Sequence, residues 1–150
     1  MNSNELSALL EEALRSVGEG RLVEELTRLS KSAVENEGTL TIIANAGVHH
    51  LPEKLLRGQV FNASEGTLNF TSQESTKKEF EMILKKLAVK LKERDWKRVY
   101  LIPFGPANLS MLLKLLVYRV THIETIDMFY CNGEYMELDI QIRPLVVDAK

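Results

Sequence analysis

Leu6, Leu9, Leu10, Ala13, Leu14 and Val17 recur at helical spacing along Asn4–Val17, the stripe of an amphipathic helix. Ser3 supplies an N-cap and Gly18 a stop. A second stripe (Leu22, Val23, Leu26, Leu29, Ser30, Ala33) predicts a helix from about Gly20 to Glu35. The two helices either pack on a sheet or present a dimer surface. From Thr39 the period shortens. Thr39–Asn45 is β-rich and runs into Ala46-Gly47, a strand-to-loop transition, with a short helical piece over Pro52–Leu56. Gln59–Phe61 and Thr67–Phe70 predict two short strands around Ser64-Glu65-Gly66.

Thr71–Ser75 offers caps for a long helix to about Glu93. Its inward stripe is Phe80, Ile83, Leu84, Leu87 and Leu91, with Lys77, Lys78, Lys85, Lys86 and Lys92 facing out. Trp96 seals the corner into the next strand. Val99–Phe104 reads as a buried strand, and Gly105 and Pro106 open a helix over Ala107–Val120, where Pro106 takes the first helical position. This helix is apolar on all sides and is expected to be buried. Ile123–Cys131 and Glu134–Ile142 flank Asn132-Gly133, the strongest short hairpin signal. In the last run Met136, Leu138, Ile140 and Ile142 alternate with Tyr135, Glu137, Asp139 and Gln141, which predicts a half-exposed strand.

Strand, helix, strand, helix, strand, strand is an α/β order. It predicts a three-layer, Rossmann-like sheet with a parallel core, a C-terminal antiparallel hairpin and two N-terminal helices. A chain of 150 residues is expected to be a single domain, 1–150, made of a helix pair (1–37) and a Rossmann-like core (38–150). The formal net charge of −2 carries no global basic field and argues against duplex nucleic acid. The longest apolar stretch is too short and too charged to span a bilayer. The one cysteine, Cys131, allows no intramolecular disulfide. With no signal peptide at the N-terminus, a reducing cytoplasm is the expected location.

Two stretches carry candidate chemistry. In Val99-Tyr-Leu-Ile-Pro-Phe-Gly-Pro-Ala-Asn-Leu-Ser110, the helix opening after the strand points backbone N–H groups at whatever lies beyond the strand's carboxyl end, a site that favours phosphate. Phe104, Gly105, Pro106, Ala107, Asn108 and Ser110 are the candidate ligand-binding residues here, though a plain tight turn also accounts for the Gly and Pro. In Ala44-Asn-Ala-Gly47 with His49-His50, a second loop on the same sheet edge adds Asn45, Ala46 and Gly47. His49 or His50 is a candidate general acid or base. Adjacent histidines point to different sides, so at most one of them is expected to face the ligand, and an exposed loop histidine without a role is the alternative. Lys54 and Arg57 are placed to neutralise phosphate. The three histidines, His49, His50 and His122, lack ligand-spaced partners, so no metal site and no cofactor are expected. No Walker loop, Gly-x-Gly-x-x-Gly or Gly-x-Ser-x-Gly occurs. Cys131 reads as structural. Tyr130 and Tyr135 are expected to pair across the hairpin, as cross-strand packing or as rings that stack on a base or close a dimer seam.

The segment Trp96–Pro144, about a third of the chain, resembles the nucleotide-sensing CARF and SAVED domains of CRISPR and CBASS antiphage systems. The likeness is carried by Val99-Tyr-Leu-Ile-Pro-Phe-Gly-Pro-Ala-Asn-Leu109, the apolar helix, Ile126-Asp-Met-Phe-Tyr130 and Tyr135-Met-Glu-Leu138. SAVED domains fuse two CARF-like halves and this chain has room for one. The resemblance therefore implies a homodimer with one pocket for a cyclic oligonucleotide. It further implies a metal-independent ring nuclease that linearises its ligand, with His49, His50 and Lys54 in the catalytic role. The alternatives are a non-catalytic sensor subunit or sponge, and an interaction module built on the N-terminal helix pair without any nucleotide.

Overall fold

The computed structural model describes residues 2–47, 49–68 and 70–149. The chain divides into two compact units, Met1–Asn36 and Glu37–Lys150. In the first, helices α1 (Ser3–Val17) and α2 (Glu19–Asn36) join at Gly18, whose φ of 82° lies in the glycine-favoured region. The N-cap is Asn2 rather than Ser3. Asn2 is extended, and its side chain accepts the Glu5 N–H at 2.9 Å while its own N–H donates to the Glu5 carboxylate at 2.8 Å. A capping box satisfies two orphan donors where a serine cap would satisfy one. No α1 residue is buried, and Leu9 and Leu26 remain 53% and 44% exposed.

The second unit is α/β, built on a five-stranded mixed sheet compatible with a Rossmann-like fold. Its strands are β1 (Thr39–Ile43), β2 (Gln59–Asn62), β3 (Arg98–Ile102), β4 (Ile126–Cys131) and β5 (Glu134–Leu138), in the order β2-β1-β3-β4-β5. Neighbours among β2, β1, β3 and β4 run parallel, and β5 lies antiparallel to β4 around Asn132 and Gly133, both at positive φ. Strand alternation sorts the core into two faces. Leu40, Ile42, Val99 and Leu101 pack against α3 (Gln73–Leu91) through Ile83, Leu87 and Leu91, and against α4 (Ala107–Thr121) through Leu109, Leu113 and Val117. On the opposite face Ile43, Tyr100, Ile102 and Met128 are covered by Leu55 of a one-turn 3-10 helix (Glu53–Leu55), with Leu51, Leu56, Phe104 and Tyr135 beside it. The β1–β2 connection thus covers one face with an irregular segment where α/β folds usually place a helix.

Several local expectations are corrected. Thr67, Leu68 and Phe70 form no strand, and Asn69 lies outside the described residues; the bridge is made earlier, between Ala46 and Glu65. Leu68 packs on the core and Phe70 meets Phe80 edge-on, so these apolar residues shield α3 rather than extend the sheet. Pro106 is the N-cap of α4 (φ −65°, ψ 129°), one residue before the helix. The last strand stops at Leu138, and Ile142–Asp148 forms a helix, α5. Pro144 sits in its first turn, where no N–H is needed, and the Glu124 carboxylate accepts the Ile142 and Arg143 N–H groups at 2.5 and 3.2 Å. α4 is not buried all round: Met111, Leu115 and Tyr118 are 68%, 49% and 39% exposed. On β5 the half-buried residue is Tyr135, while Met136 and Leu138 face out.

Trp96 is buried and its indole N–H donates to the Leu91 carbonyl at 3.1 Å, closing the corner between α3 and β3. Among the described residues no helix is long and apolar enough to cross a membrane.

Candidate functional site

The chain leaves β1 toward β2 and leaves β3 toward β4, so the loops after these two adjacent strands diverge to opposite faces. The carboxyl ends of β1 and β3 are the topological switch point, where open α/β sheets leave a crevice. A cleft of about 680 Å3 lies there. One wall is the β1–β2 connection, with His49, His50, Pro52 and Lys54. The floor is Phe104 after β3, and the other wall is the hairpin, with Tyr130, Gly133, Glu134 and Tyr135.

Four rings run in a row across it. His49 meets Phe104 edge-on at 4.9 Å between centroids, Phe104 meets Tyr135 at 6.4 Å, and Tyr135 meets Tyr130 at 4.9 Å. Tyr130 and Tyr135 are register partners across β4 and β5, which puts both rings on one side of the hairpin. Glu134 is paired with Cys131 and precedes Tyr135, so strand alternation sends its side chain to the other side. It contributes to the rim.

His49, His50, Lys54 and Phe104 thus come together, and both histidines line the cleft where the sequence predicts at most one. The other candidates do not line it. Asn45 is buried, its amide donating to the Gly66 carbonyl at 3.0 Å and accepting from the Ser64 hydroxyl at 3.1 Å. Ala46 N–H donates to the Ser64 carbonyl and Gly47 sits against Gly66, so this turn is tied to the segment after β2. Gly105 (φ 83°) packs on Asn45, where a Cβ would lie 2.9 Å from the Asn45 Cβ. Ala107 is exposed, and no side chain caps α4 at Pro106. Asn108 lines a separate apolar groove with Phe80, Leu84, Met111 and Leu112. Ser110 is buried and its hydroxyl has no partner among the described residues.

Arg57 stands behind the cleft wall. Its guanidinium donates to the Tyr100 hydroxyl at 2.8 Å, pairs with Glu137 and lies 4.9 Å from the Tyr100 ring centroid. Burial works against its charge, but the bonds to Glu137 and Tyr100 outweigh that cost and hold its pKa above the usual arginine value. Its backbone is fixed as well: the Thr41 hydroxyl donates to the Arg57 carbonyl at 2.7 Å and accepts the Arg57 N–H at 3.1 Å. Arg57 therefore anchors the loop that carries His49, His50 and Lys54.

Tyr130 and Tyr135, which the sequence offers either as cross-strand packing or as rings that stack on a base or close a dimer seam, line the cleft. The signal that finds them is the two-residue turn, which brings a pair of aromatics beside the switch point. Among the described residues no group of three or more His, Cys, Asp or Glu could hold a metal ion. No protein-family model matches the chain, and no curated protein or solved structure shows significant similarity to it.

Proposed function

We propose that the cleft binds a cyclic oligonucleotide, in a pocket shared by two copies of the chain, and opens its ring without a metal. On this reading residues 37–150 form a CARF-type, three-layer Rossmann-like domain of cytoplasmic antiphage signalling. The observation that supports it is the row His49–Phe104–Tyr135–Tyr130. Rings exposed along a cleft suit nucleobases, each stacked base contributing about 1–3 kcal/mol. Lys54 and the two imidazoles, all on one wall, suit phosphate at one end of that row.

The chemistry follows from this division. The ligand is held so that a ribose 2′-oxygen lies in line with the adjacent P–O5′ bond. One histidine takes the 2′-OH proton as the oxygen attacks phosphorus. The P–O5′ bond breaks, and the other histidine protonates the leaving O5′. The product is a linear oligonucleotide ending in a 2′,3′-cyclic phosphate. Lys54 balances the charge that builds on the phosphoryl oxygens.

The test is incubation with cyclic tri-, tetra- and hexa-adenylate, followed by chromatography of the products. Cleavage by the wild type and its loss in a His49→Ala, His50→Ala double variant, by roughly the 100-fold or more that acid–base catalysis supplies, supports the assignment. Cleavage by the double variant at the wild-type rate refutes the histidine roles. Binding without linear products leaves a sensor or sponge. Absence of any binding removes the nucleotide reading altogether.

A further inference from the structure

Pro103 ends one ladder of the sheet and leaves the main chain of β4 open beside the cleft. β4 pairs with β3 through Tyr100–Ile126 and Leu101–Asp127 alone, whereas its pairing with β5 runs from Asp127 to Cys131. The register gives the reason. The two-residue turn at Asn132-Gly133 closes on a hydrogen-bonded pair, Cys131 with Glu134, so alternation bonds Phe129 and Asp127 to β5 as well. The N–H and C=O groups of Met128 and Tyr130 therefore point the other way, toward β3. On β3 the Ile102 carbonyl faces β1, where it accepts the Ala44 N–H at 3.0 Å, so Leu101 and Pro103 face β4. A continued ladder would need the residue at 103 to donate to the Met128 carbonyl, and proline has no N–H. Among the described residues no group outside the strands bonds to the Met128 carbonyl or to the main chain of Tyr130.

From this we infer that the main-chain N–H and C=O of Tyr130 form a hydrogen-bonding subsite of the cleft, which takes the edge of a nucleobase carrying a donor beside an acceptor. The inference rests on the nucleotide reading of the cleft and adds the part of the ligand that is read. The length of the open edge selects the occupant. Met128 is 3% exposed and Asn132 already belongs to the turn, with φ 51°, while Tyr130 is 59% exposed and lines the cleft. One residue is thus free, with one donor and one acceptor pointing the same way. A peptide added as a strand draws its affinity from a run of main-chain bonds. A base needs a single pair, as adenine has in N1 beside the N6 amino group. Stacking on the row of rings is tolerant of base identity. The main-chain edge is what gives the cleft a choice, because a base without the donor leaves the Tyr130 carbonyl unpaired under the ligand.

The test removes the N–H and keeps the ring. Tyr130 is replaced in the full chain by its α-hydroxy acid, which turns the amide into an ester, and calorimetry follows binding of whichever cyclic oligoadenylate the wild type takes. The ester variant binds that ring about 2–12-fold more weakly, the loss of one hydrogen bond. The same ring built from N6,N6-dimethyladenylate has no donor to engage the edge, so the wild type and the ester variant bind it equally. An unchanged Kd for the unmodified ring overturns the inference. So does an equal loss with both rings, which would mark a change in the hairpin itself. A wild type that binds no cyclic oligoadenylate removes the nucleotide reading and this subsite with it. Amide exchange by NMR on the free chain tests the edge without any ligand: Tyr130 exchanges fast while Phe129 and Cys131 are protected, and Tyr130 slows once the ring is bound. A Tyr130 amide as protected as its neighbours in the free chain overturns the inference whatever binds.

Discussion

The Gly105→Ala substitution tests whether the turn that positions Phe104 is as tightly built as its geometry implies. Gly105 has φ 83°, a region that costs an L-residue about 1–2 kcal/mol. An added Cβ would also lie 2.9 Å from the Asn45 Cβ. Asn45 cannot yield cheaply, because its amide bridges the Gly66 carbonyl and the Ser64 hydroxyl. Forcing such contacts typically adds about 1–3 kcal/mol. Gly133→Ala is the control. It has φ 86° and nothing within 4 Å of its Cβ, so it carries the backbone cost alone. The smaller entropy of the unfolded chain after Gly→Ala is common to both and cancels. The difference between the two variants is therefore the Asn45 contact, about 1–3 kcal/mol. At about 2–4 °C per kcal/mol for a chain of this size, Gly105→Ala melts roughly 2–12 °C below Gly133→Ala. The single tryptophan, Trp96, lies in the core of residues 37–150, so its fluorescence reports on that unit. If urea titration finds the two variants within about 0.5 kcal/mol of each other, the turn has slack and the argument from its packing fails.

Three further outcomes follow from the same geometry. Leu113→Ala, at a fully buried site between α4 and the sheet, should cost about 2–5 kcal/mol in urea titration; a loss below about 1 kcal/mol would contradict the single core on that face. An Arg57→Ala, Glu137→Ala double-mutant cycle should give a coupling below about 1 kcal/mol that weakens with salt, because the two side chains are 38% and 39% exposed; a larger, salt-independent coupling would mean a dry pair. Phe104→Ala removes the middle of the ring row and should weaken binding of a cyclic oligoadenylate about 5–150-fold, the equivalent of one stacked base. An unchanged Kd by calorimetry would show that the ligand does not lie along the row.

Where the chain alternates cleanly, the sequence speaks for the structure. β1 and β3 are short, almost wholly buried runs, and α3 has one inward stripe, Ile83, Leu87 and Leu91, with the buried Trp96 in the corner that follows. These signals are local and their burial is decided by the strand or helix period alone. The candidate site was legible to the extent that it follows strand ends: Phe104 sits two residues past β3, and His49, His50 and Lys54 lie on the connection that leaves β1. What failed needed long-range information. Nothing near Asn45 reveals that its amide is used by Gly66 and Ser64, more than fifteen residues away. Arg57 looks like a free cation until Glu137 arrives from β5. The end of β5 was misread because Met136, Leu138, Ile140 and Ile142 keep a strand period into a helix, whose first turn is capped from a distance by Glu124. α4 was misread for a different reason: an apolar run shows no preferred face, and only packing decides that Leu109, Leu113 and Val117 turn inward while Met111, Leu115 and Tyr118 stay exposed.

The β1–β2 connection links the fold to the cleft. In a doubly wound sheet a helix would cover this face and hold its own backbone through internal hydrogen bonds. Here 44–58 must do so with one turn of 3-10 helix and a few polar ties. The ties sit at its two ends: Asn45 and Ala46 clamp the exit from β1, and Thr41, Tyr100 and Glu137 clamp Arg57 before β2. Between them, Leu51, Leu55 and Leu56 pack on the sheet, while His49, His50 and Lys54 face the cleft. A segment whose described residues hold one turn of 3-10 helix between its ties opens locally at lower cost than the helices across the sheet. The wall that carries the candidate acid–base groups thus has one turn of 3-10 helix among its described residues, where the opposite face has α3 and α4. It is also the part a ligand spanning the cleft would order, because Phe104, Tyr130 and Tyr135 on the other two sides belong to the sheet and its hairpin.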